Sequence, residues 1–289
     1  MRERVVTFGE DQSVIGVLTM PDGDTPSTAV VMANIGLNHR PGPFRMNVEL
    51  ARRMGCGGMA AFRFDGYGLG DSLASHSALS ASESSVRGMT EAMDTLQARF
   101  GIDRFILVGL CSGVDTVHPV ASLDPRVVGA VFIDGYTYPT PRSILRRYIL
   151  WTLIWERWVR YFRRSWHLAR AANSAQAPTP TVFTRVYPPI AVFRTDVARM
   201  VERGVALLFV WSGSYRDFNA PQQLFEMLGS RRRPTGITVK YLRGADHLFT
   251  ALAHRCELLE LVEEWAQSLP VRTATTGSRS PTPKPASGW

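Results

Sequence analysis

The chain alternates short apolar runs with longer amphipathic segments, a pattern typical of strands followed by helices. Runs of five to seven residues rich in Val, Ile and Phe predict strands at 4–8, 14–20, 28–33, 59–64, 105–110, 127–133, 205–211 and 237–242. Helical spacing predicts helices at 44–54, 80–100, 112–122, 184–203 and 249–268. Most strands lack polar alternation, which indicates burial on both faces. We therefore expect an α/β fold with a mostly parallel eight-stranded sheet flanked by helices and a hairpin at one edge.

The alternation stops between the sixth and seventh predicted strands. We expect a core formed by 1–135 and 204–269, a helical cap inserted at 136–203, and a disordered tail at 270–289, where Pro, Ser, Thr and Gly replace apolar periodicity. Within the cap, aromatic residues recur every three or four positions at Tyr148, Trp151, Trp155, Trp158, Phe162 and Trp166. The stripe predicts either a helix packed on the core, an apolar acyl pocket, or, with the neighbouring arginines, a docking face for an acidic carrier protein or a membrane surface.

Composition narrows the class of protein. The 289 residues are 45% hydrophobic, enough for one large domain with an insertion. No run resembles a signal peptide or reaches the ~20 residues of a membrane span, so we expect a cytoplasmic protein. Cys56, Cys111 and Cys256 are widely spaced, which predicts neither disulfides nor a metal site, and we expect no cofactor. The net charge of +8 concentrates in the cap and tail, with no recognised nucleic-acid-binding motif, and we expect no nucleic-acid partner.

Candidate chemistry begins at Gly109-Leu-Cys-Ser-Gly113, where a strand pattern gives way to a helix pattern. A nucleophile on such a turn has a strained backbone and needs small residues two positions before and after it. Cys111 is therefore the predicted nucleophile, and the Ser112 backbone N–H is a predicted oxyanion donor. The helix N-terminus favours a thiolate. The alternative is that Cys111 is only a small buried apolar residue.

The partners of a nucleophile follow other strands. His247 follows the last strand and is the predicted base. Asp217, after the seventh strand, is the first choice for the acid that orients it, and Asp134, after the sixth, is the alternative. The loop after the third strand predicts a second oxyanion donor, the N–H of Leu37 or of Gly36, although simple Gly/Pro punctuation before a helix is also compatible with this loop.

Other residues of the same loop and of the cap are candidates for substrate binding. Arg40 and Arg45 could hold a carboxylate or phosphate, with solvent-facing structural arginines as the alternative. The full set of candidates is Asn34, His39, Arg40, Arg45, Tyr136, Trp151 and Trp155.

Four motifs carry a family resemblance: the segment 34–45, Arg63-Phe-Asp65, Gly109-Leu-Cys-Ser-Gly113 and Gly244-Ala-Asp-His247. Together, over residues 14–268, they resemble the bacterial exosortase-system-associated hydrolases of the α/β-hydrolase superfamily, and the use of cysteine is similar to dienelactone hydrolase. The resemblance implies the α/β-hydrolase fold and a Cys-Asp-His triad.

Such a triad would act on a small-molecule ester or thioester through an acyl-enzyme, by hydrolysis or by acyl transfer, in a pathway that uses CoA-bound or carrier-bound acyl groups. The alternatives are a pathway cyclase or lyase, and a non-catalytic binding protein.

Overall fold

The computed structural model describes residues 1–153, 185, 187–215, 217–230 and 234–270, and these residues form an eight-stranded sheet. The order across the sheet is β1-β2-β4-β3-β5-β6-β7-β8, with β1, β2 and β4 paired antiparallel and the other pairs parallel. The predicted fold class is confirmed, with its edge hairpin. The strands are β1 (Arg2–Phe8), β2 (Val14–Met20), β3 (Thr28–Met32), β4 (Ala60–Phe64), β5 (Arg104–Leu110), β6 (Val127–Ile133), β7 (Ala206–Ser212) and β8 (Ile237–Leu242).

Helices cover both faces of the sheet. They are α1 (Met46–Cys56), α2 (Ala81–Phe100), α3 (Gly113–Leu123), α4 (Pro141–Leu153), α5 (Ile190–Glu202), α6 (Gln222–Met227) and α7 (Leu252–Gln267). Helices α1 and α7 share one apolar core with the sheet, and α2, α3 and α5 share the other. The short α6 was not predicted, because six residues are too few for a helical period to show.

The central strand β5 is apolar from Phe105 onward because both of its faces are buried. Phe105 and Leu107 enter the core under α2 and α3, whereas Ile106 and Val108 enter the core under α1 and α7. Both faces of the strand are therefore buried, which removes any polar alternation. Packing from two sides holds the carboxyl end of β5, at Leu110, in one position.

The segment between β6 and β7 begins and ends in helices, α4 and α5. Residues 154–184 and 186 lie outside the described part of the chain, as do residues 271–289. Trp155 therefore lies outside it, and so do the side chains of Tyr148 and Trp151, so the aromatic stripe and the division into core, cap and tail stay predictions. Among the residues described, no helix combines the length and apolarity needed to cross a bilayer.

Candidate active site

Cys111 lies on the turn between β5 and α3 with a left-handed backbone, φ +54°. A Cβ at Gly109 would lie 2.7 Å from the backbone of Gly113, and one at Gly113 would lie 2.9 Å from the carbonyl oxygen of Asn34. Only glycine avoids both clashes. A non-glycine residue in this conformation costs about 1–3 kcal/mol, which is typical of a functional turn. The turn presents the Cys111 side chain at the carboxyl edge of the sheet.

His247 is held by Asp134. His247 Nδ1 lies 2.8 Å from Asp134 Oδ2, and Asp134 is fully buried at the end of β6. Ser212, the last residue of β7, donates to the same carboxylate through its backbone N–H at 2.7 Å and its hydroxyl at 2.6 Å. Three hydrogen bonds thus converge on this one buried carboxyl group. The alternative acid of the sequence analysis thus occupies the orienting position.

Asp217, the first choice for that acid, is corrected by the structure. Its side chain is 61% exposed and pairs with Arg147 Nη2 at 3.0 Å. The physical reason is the path of the loop: Asp217 lies beyond the end of β7 on a segment that reaches the surface, whereas Asp134 follows β6 directly and lies beneath His247. A carboxylate in water, paired with an exposed arginine, cannot fix the orientation of a distant imidazole.

Cys111 and His247 lie close enough for each to shift the pKa of the other. Burial pushes the pKa of the Cys111 thiol upward, but the hydrogen bond and charge of His247 and the charge of Arg185 outweigh it, and the pKa is lowered from 9.0. The hydrogen bond to Asp134, followed by that to Cys111, raises the pKa of His247 to about 10 against desolvation. The lowered pKa of the thiol and the raised pKa of the imidazole both favour transfer of the proton from Cys111 to His247.

Two loops meet at the predicted oxyanion position. The Gly36 N–H donates to the Ser112 hydroxyl at 2.7 Å, which ties the loop after β3 to the elbow. The Leu37 N–H has no hydrogen-bond partner among the described residues. Of the two predicted loop donors, Gly36 is therefore occupied and Leu37 is free.

Asn34 serves the loop rather than a ligand. Its Oδ1 accepts from the Gly66 N–H at 2.9 Å, and its Nδ2 donates to the Asn38 carbonyl at 3.2 Å. Both ends of the amide thus contact the loop, and substrate binding by Asn34 stays a prediction. His39, from the same set of candidates, is exposed.

Arg40 likewise pairs with side chains of the protein. Its guanidinium contacts the buried carboxylate of Asp65 and, through Nη2 at 2.6 Å, Asp71. Two carboxylates leave it poorly suited to an additional anion, although substrate binding by Arg40 stays a prediction. Arg45 is exposed with φ +62° at the start of α1. Arg40 therefore ties its loop to the protein, whereas Arg45 lies at the surface.

A different arginine lies beside Cys111. Arg185 binds Asp115 in a two-point contact, Nε to Oδ2 at 2.7 Å and Nη2 to Oδ1 at 2.6 Å. Its guanidinium carbon lies 5.0 Å from the ring centroid of Tyr136 and 5.3 Å from that of Tyr187. Sequence reasoning missed Arg185 because nothing marks it among the arginines of the insertion. The available signal was Asp115, one turn after the nucleophile.

Tyrosines form one wall of the site. Tyr136, a predicted substrate-binding residue, is buried and hydrogen-bonded to Asp115. Tyr215 donates to the Gly135 carbonyl at 3.0 Å, contacts the Tyr187 hydroxyl, and its ring centroid lies 5.8 Å from that of His247. Burial raises the pKa of both Tyr136 and Tyr215, so both stay neutral near physiological pH.

No protein-family model and no curated protein matches the sequence. Many solved structures resemble the fold, including the following three. An α/β serine hydrolase homologue from Coxiella burnetii is 13% identical with a TM-score of 0.53, covering 91% of this chain and 96% of its own. A serine hydrolase without a lid from Xanthomonas campestris is 14% identical with a TM-score of 0.53, covering 93% and 98%. The esterase domain of a Rhodothermus marinus protein is 16% identical with a TM-score of 0.52, covering 92% and 98%.

At these identities the likeness establishes the α/β-hydrolase fold, as the sequence predicted. The association with exosortase systems stays a prediction.

Proposed function

We propose that this protein is a hydrolase or acyltransferase that acts on an ester or thioester through an acyl-Cys111 intermediate. The observation that carries the proposal is the continuous line from Cys111 through His247 to the buried Asp134, starting at a strained turn. The resemblance in fold to serine hydrolases and an esterase supports the same class of chemistry. Cysteine in place of serine supplies a nucleophile whose anion is accessible near neutral pH.

In the first step the Cys111 thiolate attacks the substrate carbonyl carbon, and the carbonyl oxygen becomes an oxyanion. The backbone N–H groups of Ser112 and Leu37 are the donors placed to stabilise it. His247 then gives its proton to the departing alcohol or thiol, and the carbon–sulfur bond to Cys111 remains. Asp134 keeps the imidazole in the tautomer that presents Nε2 to the sulfur and the leaving group.

In the second step an acceptor attacks the acyl-cysteine, and His247 removes its proton. With water the product is a carboxylic acid; with a thiol, alcohol or amine it is a new thioester, ester or amide. The acyl-cysteine is itself a thioester and reacts with all of these acceptors. Exclusion of water by the segment between β6 and β7 would therefore favour transfer over hydrolysis.

Intact-protein mass spectrometry after brief exposure to aryl esters and acyl-CoA thioesters tests the proposal. We expect a mass increase equal to the acyl group, absent in Cys111→Ala. Cys256→Ala is the matched control, because Cys256 is also a partly buried free thiol, and it should acylate normally. Decay of the adduct in water, compared with decay after adding an amine, separates hydrolysis from transfer. A folded protein with neither adduct nor turnover would contradict the proposal and favour a cyclase or a binding protein.

A further inference from the structure

One side-chain nitrogen of Arg185, Nη1, has no hydrogen-bond partner among the described residues. Asp115 takes Nε and one N–H of Nη2, while Nη1 is buried and has no hydrogen-bond partner in the part of the chain that the structure describes. The side chain is only 12% exposed. A buried, charged donor without an acceptor is unfavourable, and native proteins seldom keep one without a function.

The contacts of Arg185 fix the orientation of its guanidinium. The two-point contact with Asp115 fixes the plane of the guanidinium, and the rings of Tyr136 and Tyr187 lie against it. The buried Tyr136 also lies close to Asp115. Because Asp115 occupies Nε and Nη2, the buried Nη1 is left without an acceptor among the described residues. A carboxylate is the acceptor whose planar, paired oxygens best suit a guanidinium.

Arg185 lies near Cys111. Asp115 is in the first turn of α3, directly after the elbow, and the charge of Arg185 acts on the Cys111 thiol. Tyr187 contacts Tyr215, whose ring neighbours His247. An anion bound to Nη1 would therefore be part of the same molecule that Cys111 attacks.

We propose that Arg185 forms an anion subsite beside Cys111 that binds a carboxylate carried by the acyl group of the substrate. The preferred substrates would then be half-esters or half-thioesters of dicarboxylic acids. This choice of substrate rests on the proposed function, whereas the subsite itself is tested without turnover. Arg40, which the sequence had suggested for this role, already holds two carboxylates.

Two alkylating reagents of nearly the same shape provide the test. Iodoacetate and iodoacetamide both react by attack of the thiolate on the CH₂ group, forming a sulfur–carbon bond and releasing iodide, but only iodoacetate carries a carboxylate. The ratio of their rates at Cys111, read by peptide mass spectrometry, cancels changes in thiol pKa. The exposed Cys56 supplies the internal reference ratio. We expect the Cys111 ratio to exceed the Cys56 ratio by about tenfold or more.

Arg185→Met should lower the Cys111 ratio about tenfold, and Arg185→Lys should give an intermediate value because it keeps the charge without the fork. Arg126→Met is the matched control. Asp124 grips Arg126 in the same way, through Nε at 3.0 Å and Nη2 at 2.7 Å, over the Phe105 ring at 5.6 Å. Arg126 lies directly before β6, at the amino ends of the parallel strands, whereas Cys111 follows the carboxyl end of β5. Its loss should therefore leave the ratio unchanged.

Equal ratios at Cys111 and Cys56 in the wild type would overturn the proposal. So would a high ratio that survives in folded Arg185→Met, since the attraction would then come from the His247 imidazolium. If Arg185→Met does not fold, a protection experiment on the wild type replaces it. Benzoate should slow the alkylation of Cys111 by iodoacetamide, and benzamide should not. Equal protection by the two compounds would overturn the subsite. A high, Arg185-dependent ratio without any acyl adduct would uphold the subsite while the proposed function fails.

Discussion

Replacing Asp134 by Asn is the sharpest test of the catalytic arrangement, because the change keeps the shape of the side chain and removes its charge. The wild-type carboxylate accepts from Ser212 twice and from His247 Nδ1 at 2.8 Å. It is the largest cause of the rise in the pKa of His247 to about 10. Without it, the imidazolium loses its counter-ion, and the neutral ring no longer has a fixed tautomer.

The size of the effect follows from these contacts. A charge-assisted hydrogen bond contributes about 1.5–3 kcal/mol, or roughly one to two factors of ten in rate at 1.36 kcal/mol each. Loss of the correct tautomer adds to it, and removing the charge of the corresponding carboxylate in a serine protease costs about 10⁴. We expect Asp134→Asn to reduce the rate of Cys111 acylation by about 10²–10⁴. Asp217→Asn should stay within about twofold, because the Asp217–Arg147 pair is exposed.

The assay is the single-turnover acylation of Cys111 by an aryl ester, together with the pH profile of its alkylation by iodoacetamide. Asp134→Asn should move the thiolate profile to higher pH, because a less basic His247 stabilises the thiolate less. Circular dichroism and the melting temperature establish that each variant is folded. Full activity in folded Asp134→Asn, or a large loss in Asp217→Asn, would refute the assignment of the orienting acid.

Three further predictions follow from other contacts. Gly109→Ala should lower Tm more than Gly204→Ala. Its Cβ would lie 2.7 Å from the Gly113 backbone, whereas a Cβ at Gly204 meets no atom within 4 Å and adds only the strain of a positive φ. Thermal unfolding that ranks the two variants oppositely would contradict the packing argument. The raised pKa of His247 means that its protonation stabilises the fold fully below the unfolded pKa of 6.5, and that this stabilisation is lost as the pH rises to about 10. The Tm difference between wild type and His247→Ala should therefore shrink across that window. A Tm difference that grows with pH would contradict the prediction. Arg40→Met should destabilise the fold by about 3 kcal/mol in denaturant unfolding, because it leaves the buried Asp65 without its cation. The ratio of iodoacetate to iodoacetamide rates at Cys111, measured by peptide mass spectrometry, should stay unchanged.

The core strands and the elbow were predictable because their causes are local. Residues 105–110 are apolar on both faces since two helical layers cover them, and Gly109 and Gly113 are small since the turn leaves no room for a Cβ. Cys111 and His247 could be proposed as partners because each follows a strand of a parallel sheet, and such strand ends meet at one edge. Local pattern and tertiary position coincide at these residues.

The acid and the anion subsite were not predictable in the same way. Asp134 and Asp217 both follow strands, and only the path of the loop after β7 takes Asp217 to the surface. Arg185 is one arginine among many in the insertion, and its pairing with Asp115 spans 70 positions of the chain.

By itself, then, the sequence determined the class of fold, the sharp turn at Cys111 and the strand that His247 follows, because hydrophobic periodicity and backbone strain are encoded in neighbouring residues. Only the tertiary structure decided which carboxylate supports His247, which loop N–H remains free and which arginine lies at Cys111. These choices depend on distances between segments that are remote in sequence and on which charges the packed chain removes from water, and no local pattern records either.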